Sequence, residues 1–220
     1  IVIFYFGTSK SFNVNELTLF LLLCLTNPIL FFDNLEPIDY SWALIFFSLG
    51  IFFLEKKLFE LAVIFFGICI GTRINFVLFI LVAIFFFEYT GNLNFKRKLY
   101  IFFSSFIVGG LFYAPIWFEN SYSLSWLTAA RPLDQGLIGL IARFFYKTYI
   151  AIGFLSFFAI IFILLNKFQL IKKIKKEKNF NMLVFLCLAN LLIFLWIPAE
   201  LSYLQVFLIV ISYLVIKTKI

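Results

Sequence analysis

The sequence predicts an all-α, polytopic integral membrane protein with about eight transmembrane helices. Of its 220 residues, 64% are hydrophobic and only 13% are charged, and the mean hydropathy is +1.08. A soluble domain cannot bury that much apolar surface, whereas lipid solvates it. Apolar runs such as Leu19–Leu25 do not alternate with polar residues, which favours helices over the strands of a membrane barrel.

Polar and charged residues divide the sequence into apolar segments of helical length. A membrane-crossing helix needs roughly 20 apolar residues, and proline and charged residues mark the ends of the segments. The third and fourth segments are short, and the polar turn Gly71–Asn75 joins them into a predicted hairpin. The eight predicted crossings are 17–32, 41–54, 58–70, 74–87, 99–118, 148–165, 182–197 and 201–216.

We expect residues 1–220 to form a single helical transmembrane domain. Because the sequence begins with Ile1 and not with Met, we also expect it to be a fragment of a longer chain without its N-terminus. The longest polar interval, Glu119–Lys147, is predicted to hold short helices at the membrane surface. One of them should end before Pro132, because the residue before proline avoids helix, and another should cover 137–146.

The basic residues predict how the chain is oriented in the membrane. The net charge is +7, and cytoplasmic loops of membrane proteins carry an excess of lysine and arginine. Strict alternation of eight crossings places all but four of the eighteen Lys and Arg residues on one side, including the C-terminus, which we take as cytoplasmic. We therefore expect a bacterial inner membrane protein of the cell envelope that contacts the lipid bilayer and no nucleic acid. The four outer basic residues are Arg73, Arg131, Arg143 and Lys147.

The same topology collects acidic residues and arginines on the outer side. Arginine can hold a phosphate group through two hydrogen bonds, and a carboxylate can act as a base or bind a metal. An outer site for an anionic, phosphate-bearing lipid is consistent with this chemistry. The outer candidates are Arg73, Arg131, Glu200 and Tyr203, with a further acidic group of Asp33, Glu36 and Asp39.

Each candidate also has a purely structural interpretation. Arg73 can extend to the membrane surface from a lipid-embedded backbone. Asp39 can cap the helix that begins beside it, and Glu200 can do the same for the last helix. Gly67 and Gly71 are spaced four residues apart, which is typical of close helix packing. The aromatic residues expected in an interfacial belt are Tyr113, Trp117, Tyr122, Trp126, Tyr146 and Tyr149.

No motif for a particular metal or cofactor occurs in the sequence, and a divalent metal at the outer carboxylates stays an open alternative. Histidine is absent, which removes the commonest metal ligand and general base. The cysteines, Cys24, Cys69 and Cys187, all lie inside apolar segments, so we interpret them as packing residues. No nucleophile elbow and no glycine-rich phosphate loop occur in the sequence.

The order of four features resembles a known superfamily. The middle and C-terminal part of GT-C type membrane glycosyltransferases has a similar order of segments. In this sequence the corresponding segments are Thr26–Phe32, Asp39–Tyr40, Phe66–Arg73 and Ile197–Leu204. That superfamily includes protein mannosyltransferases and the aminoarabinose transferases of lipid A. The resemblance implies transfer of a hexose or pentose from a polyprenyl-phosphate donor to an acceptor on the extracytoplasmic face.

The resemblance also implies roles for particular residues. The catalytic base would be a carboxylate in the first outer loop, sometimes with a divalent metal, and that loop would lie upstream of Ile1. Arg73 and Arg131 would lie where the donor phosphate is held, and Glu200 and Tyr203 would lie at the outer rim. The catalytic residue itself therefore stays unknown.

Three other classes remain open. A lipid-linked polysaccharide polymerase or ligase is also polytopic with outer arginines, but we would expect a larger outer loop that often contains histidine. A transporter or flippase often has internal repeats and charges near the bilayer midplane, whereas these segments carry almost no charge. A non-catalytic membrane subunit also fits, because fold does not determine function.

Overall fold

A computed structural model describes residues 14–26, 39–87, 90, 93–119, 138–139, 141–142, 146, 180–196 and 204–217. Within these ranges the elements are helices and no strand occurs, which confirms the all-α prediction there. The helices are α1 (Val14–Thr26), α2 (Asp39–Glu55), α3 (Phe59–Thr72), α4 (Phe76–Phe86), α5 (Phe95–Glu119), α6 (Phe180–Trp196) and α7 (Gln205–Lys217).

Seven of the eight predicted apolar segments overlap with these helices, and the sixth, 148–165, lies outside the described residues. Among the helices described, α5 alone is long and apolar enough to cross a membrane by length and composition. Helix α3, with 14 residues, is roughly 21 Å long and α4, with 11, is roughly 16 Å. The hydrocarbon core of a bilayer is roughly 30 Å thick.

Helix α5 begins four residues before the predicted crossing because Asn94 caps it. The Asn94 Oδ1 atom accepts the backbone N–H of Arg97 at 2.9 Å, which satisfies one of the N–H groups that a helix start leaves without a partner. The basic cluster of residues 96–98 therefore lies inside the first turn of the helix. The sequence analysis had assigned these three residues to a loop because they are charged.

Among the described helices, α2, α3 and α5 pack most closely against one another. Helix α3 runs antiparallel to α2, since Ala43 lies beside Cys69 while Phe53 stacks on Phe65. It runs parallel to α5, since Arg97 lies over Phe59 near the start of both helices. The predicted α3–α4 hairpin does turn at residues 73–75, but α3 packs chiefly against α2 and α5 and only slightly against α4.

Glycine allows the close approach of α3 and α5. A Cβ atom at Gly67 would lie 2.4 Å from Val108 Cγ1, and one at Gly71 would lie 2.6 Å from the Phe112 ring. On the facing helix, a Cβ at Gly109 would lie 2.5 Å from Ile70. These contacts confirm the prediction that the spaced glycines mark close helix packing.

Large apolar side chains fill the interior between α2, α3 and α4. Phe47 contacts Phe66, Phe76 and Phe79, with ring centroids between 5.9 and 6.3 Å apart. Cys69 is fully buried, and its thiol donates to the Ala43 carbonyl at 3.1 Å. Cys69 is thus a packing residue, as predicted.

Helices α6 and α7 pack as an antiparallel pair beside this core. Asn190 of α6 is fully buried, and its Oδ1 atom accepts the backbone N–H of Phe207 in the first turn of α7 at 2.7 Å. Helix α4 meets α6 through Phe86 and Phe185, whose ring centroids are 4.0 Å apart. Helix α7 also contacts α1.

Candidate functional site

The charged residues that the structure describes between Asp39 and Glu119 lie at the two ends of the packed helices. The start of α2, the end of α3 and the end of α5 carry Asp39, Arg73 and Glu119. The opposite end carries the basic residues that follow α2 and open α5. Between the two ends, these helices contain no charged residue. The two basic clusters at the opposite end are residues 56–57 and 96–98, accompanied by Glu55 and Glu60.

Arg73 and Asp39 form an ion pair at the first of these ends. The Arg73 Nη2 atom donates to Asp39 Oδ1 at 2.7 Å. The Nε atom lies 2.7 Å from Oδ2, a close charge contact and not a well-aligned hydrogen bond. The guanidinium thus meets both carboxylate oxygens, which is the geometry that arginine also adopts with phosphate.

The pair is only partly removed from water. The Arg73 side chain is 22% exposed and that of Asp39 is 49% exposed. Exposed ion pairs contribute roughly 0.2–1 kcal/mol to stability, because water screens the charges and two side chains lose freedom. An exposed carboxylate on a well-anchored arginine leaves the pair accessible to a competing anion.

The aromatic ring of Tyr40 packs against the Arg73 guanidinium. Its ring centroid lies 5.3 Å from Arg73 Cζ, within the range of a cation–π interaction. The tyrosine is fully buried and packs against Phe76 at 5.3 Å. The position of the arginine is therefore tied to the apolar core of α2 and α4.

The helix dipoles favour both charges where they lie. Asp39 occupies the first turn of α2, where the N-terminal end of a helix favours a negative charge. Arg73 immediately follows α3 in extended backbone (φ −147°), where the C-terminal end favours a positive charge. The Arg73 N–H also donates to the Cys69 carbonyl at 2.9 Å, which fixes the backbone at this position.

Tyr113 of the neighbouring helix α5 forms a hydrogen bond to the last turn of α3. Its hydroxyl donates to the Ile70 carbonyl at 3.0 Å, one of the carbonyls in the last turn that a helix leaves without an internal partner. The sequence analysis had assigned Tyr113 to an interfacial aromatic belt. In the structure Tyr113 helps to hold the segment that carries Arg73, and its place in an interfacial belt stays a prediction.

The structure thus brings together two of the predicted candidates and adds two tyrosines. Arg73 and Asp39 were predicted as separate outer residues, and their pairing was missed. They are 34 positions apart, and each is 17 positions from Lys56 in the turn between α2 and α3. Residues equidistant from the turn of an antiparallel hairpin meet, so this symmetry could have revealed the pair. The candidates Arg131, Glu200, Tyr203, Asp33 and Glu36 lie outside the described residues.

The described ranges contain no group of three or more His, Cys, Asp or Glu side chains that could hold a metal ion. They do contain an apolar cavity of about 40 Å³ between α2, α6 and α7. Ser48 contributes a hydroxyl to its wall, and that hydroxyl donates to the Leu44 carbonyl of its own helix at 2.8 Å. A sugar needs several polar partners, so this cavity is not a sugar site.

No family model, curated protein or solved structure matches the chain. The assignment of a function therefore depends on the chain's own residues and on the geometry of the Asp39–Arg73 end.

Proposed function

We propose that this chain belongs to a polytopic membrane glycosyltransferase of GT-C type, which transfers a sugar from a polyprenyl-phosphate donor to an acceptor. In this proposal the end that carries Asp39 and Arg73 faces the extracytoplasmic side, and the end with the two basic clusters faces the cytoplasm. Arg73 binds the donor phosphate.

The distribution of charge supports the membrane part of the proposal. Among the described residues from α2 to α5, charges lie only at the two ends, and five of the six basic residues lie at one end, as the positive-inside rule predicts. The surface between the ends is apolar: Phe103, Ile107 and Leu111 of α5 are 56%, 65% and 67% exposed. Helices shorter than the hydrocarbon core can be accommodated by local thinning of the bilayer and by side chains that extend to the headgroups.

The ion pair of Arg73 with Asp39 carries the functional part of the proposal. During sugar transfer from a polyprenyl phosphate, negative charge develops on the departing phosphate, and a fixed cation beside it stabilises that charge. Arg73 is positioned by the Tyr40 ring, by the end of α3 and by Asp39. In the proposal Asp39 is a positioning residue. It holds the Arg73 guanidinium until the donor phosphate binds beside the carboxylate or takes its place on the guanidinium.

Substitution of Arg73 tests this function. Proteoliposomes of the full-length protein would be incubated with a panel of polyprenyl phosphates that carry labelled hexoses or pentoses, and transfer of label to acceptors in a membrane extract would be measured. We expect Arg73→Ala to abolish transfer while membrane insertion is retained. Arg73→Lys should retain only a small residual rate, because a lysine cannot make the two-point contact.

Lys98→Gln is the matched control, since Lys98 is also a cation near an aromatic ring but lies at the opposite end. It should transfer sugar at the parental rate. Unchanged transfer by Arg73→Ala would remove Arg73 from the reaction. Equal losses in Arg73→Ala and Lys98→Gln would indicate a general effect of charge and would contradict the proposed role.

A non-catalytic membrane subunit is the second candidate, and one observation favours it. The Asp39–Arg73 pair lies at helix ends whose dipoles stabilise both charges, so it can serve as a purely structural link between α2 and α3. In that case no sugar of the panel would be transferred by the parental protein, and the Arg73 variants would differ from it in thermal stability alone.

A further inference from the structure

We propose that the end of the molecule opposite Arg73 carries a binding site for the headgroup of an anionic phospholipid. The site is formed by Lys56, Lys57, Lys96 and Arg97, which we call the basic patch. It comes from two clusters that are about 40 positions apart in sequence and that the parallel packing of α3 and α5 places at one end.

The basic patch is exposed, and no acidic side chain of the described residues pairs with it. Two of its four side chains are held by aromatic rings: Arg97 Cζ lies 4.4 Å from the Phe59 ring centroid and Lys56 Nζ lies 5.6 Å from that of Phe52. A cation above an aromatic face is partly ordered but can still bind an anion.

Lys57 occupies a backbone conformation that favours glycine. Its φ angle is 61°, in the left-handed region where a side chain is unfavourable. The Leu58 N–H donates to the Phe53 carbonyl at 2.9 Å, and the Lys57 N–H donates to that of Leu54 at 3.1 Å. These two bonds define the helix-ending motif in which glycine is the usual residue at this position.

The cations in the first turn of α5 also lie where the helix dipole is unfavourable for positive charge. Lys96, Arg97 and Lys98 occupy the first turn of α5, which contains no acidic residue. The N-terminal end of a helix disfavours positive charge. Lys98 has a separate structural role, because its Nζ atom donates to the Phe85 carbonyl at the end of α4 at 3.4 Å. Lys57, Lys96 and Arg97 thus occupy positions where their side chains lower local stability. Such positions are typical of functional residues.

The surface next to the basic patch identifies a lipid as its ligand. Leu58, Leu61 and Ile64 of the α3 region are 47%, 39% and 45% exposed, and Tyr100 and Phe103 of α5 are 59% and 56% exposed. Cationic groups therefore lie directly beside exposed apolar strips on both helices. A phospholipid has the matching arrangement, with an anionic headgroup joined to apolar chains, whereas a soluble polyanion would leave the apolar strips uncovered.

Lipid binding can be measured by native mass spectrometry of the full chain released from detergent micelles, titrated with phosphatidylglycerol or phosphatidylcholine. We expect phosphatidylglycerol to bind at least tenfold more tightly. A basic residue near anionic lipid contributes about 1 kcal/mol, so each cation removed should weaken phosphatidylglycerol binding about fivefold. Lys56→Gln and Arg97→Gln should each have this effect, and Lys56→Arg should bind like the parent.

Lys57→Gly distinguishes the effect of the lost charge on lipid binding from any effect on the stability of the fold. Glycine relieves the left-handed backbone, so this variant should unfold at a higher temperature and yet bind phosphatidylglycerol about fivefold less tightly. Lys57→Asn, which also tolerates this conformation, should show the same loss of binding. Equal affinities for the two lipids would overturn the proposal, as would an undiminished preference after replacement of all four residues by glutamine. Displacement of the lipid by millimolar glycerol phosphate would also contradict it, because the ligand would then be a free phosphate.

Discussion

At the scale of single residues, the two charged ends of the packed helices depend on side chains whose backbone positions are determined by helix ends. Arg73 follows the last residue of α3 and Lys57 follows the end of α2, each at a position where the helical hydrogen bonds stop. The sequence alone predicted that Arg73 was unusual, because an arginine between apolar segments needs a partner. It did not predict the partner, because the choice of Asp39 over Asp33 or Glu36 depends on the register of α2 against α3.

The strength of the Asp39–Arg73 pair can be measured by a double-mutant cycle. We expect Asp39→Asn and Arg73→Gln to be coupled by about 1 kcal/mol in the free energy of unfolding, near the upper end for exposed pairs because both carboxylate oxygens are contacted. Unfolding in detergent with increasing denaturant gives the four values needed. The coupling should fall at high salt. A coupling of zero at low salt would show that the two side chains do not interact in solution.

At the scale of helices, hydropathy located the elements but not their packing. Every apolar segment in the described ranges is a helix, because a long apolar run with no alternation favours that structure. The start of α5 was missed since the Asn94 cap places three charged residues inside the helix. The partner of α3 was also missed, because the glycine pattern indicates a close contact without identifying the neighbouring helix.

The close contact between α3 and α5 can be tested with two glycine substitutions, one at the contact and one away from it. Gly67→Ala should destabilise the protein by about 1–3 kcal/mol, since the added carbon would lie 2.4 Å from Val108. Gly110→Ala places the same carbon where no atom lies within 4 Å, so it should be neutral or stabilise by up to about 1 kcal/mol. Thermal unfolding of the two variants in the same detergent decides the point. Equal stabilities would mean that α3 and α5 are not in close contact.

At the scale of the whole molecule, the charge pattern connects the sequence to the proposed function. The positive-inside rule, applied to the sequence, assigned Lys56, Lys57 and residues 96–98 to one side and Arg73 to the other. The structure independently places the two basic clusters at one end and Arg73 at the opposite end. Hydropathy could predict this segregation because successive apolar helices reverse direction at each turn. The Asp39–Arg73 pair could not be predicted to the same extent, because it depends on contacts between distant segments.

The orientation of these two ends across a membrane is the central claim, and cysteine labelling tests it most directly. Glu119→Cys and Lys57→Cys would be placed singly in a full-length protein whose Cys24, Cys69 and Cys187 are replaced by alanine. Both positions are exposed and lie at opposite ends of the packed helices. In intact cells a membrane-impermeant maleimide should label position 119 and not position 57, and both should react after the cells are broken. Labelling of both in intact cells, or of position 57 alone, would contradict the account.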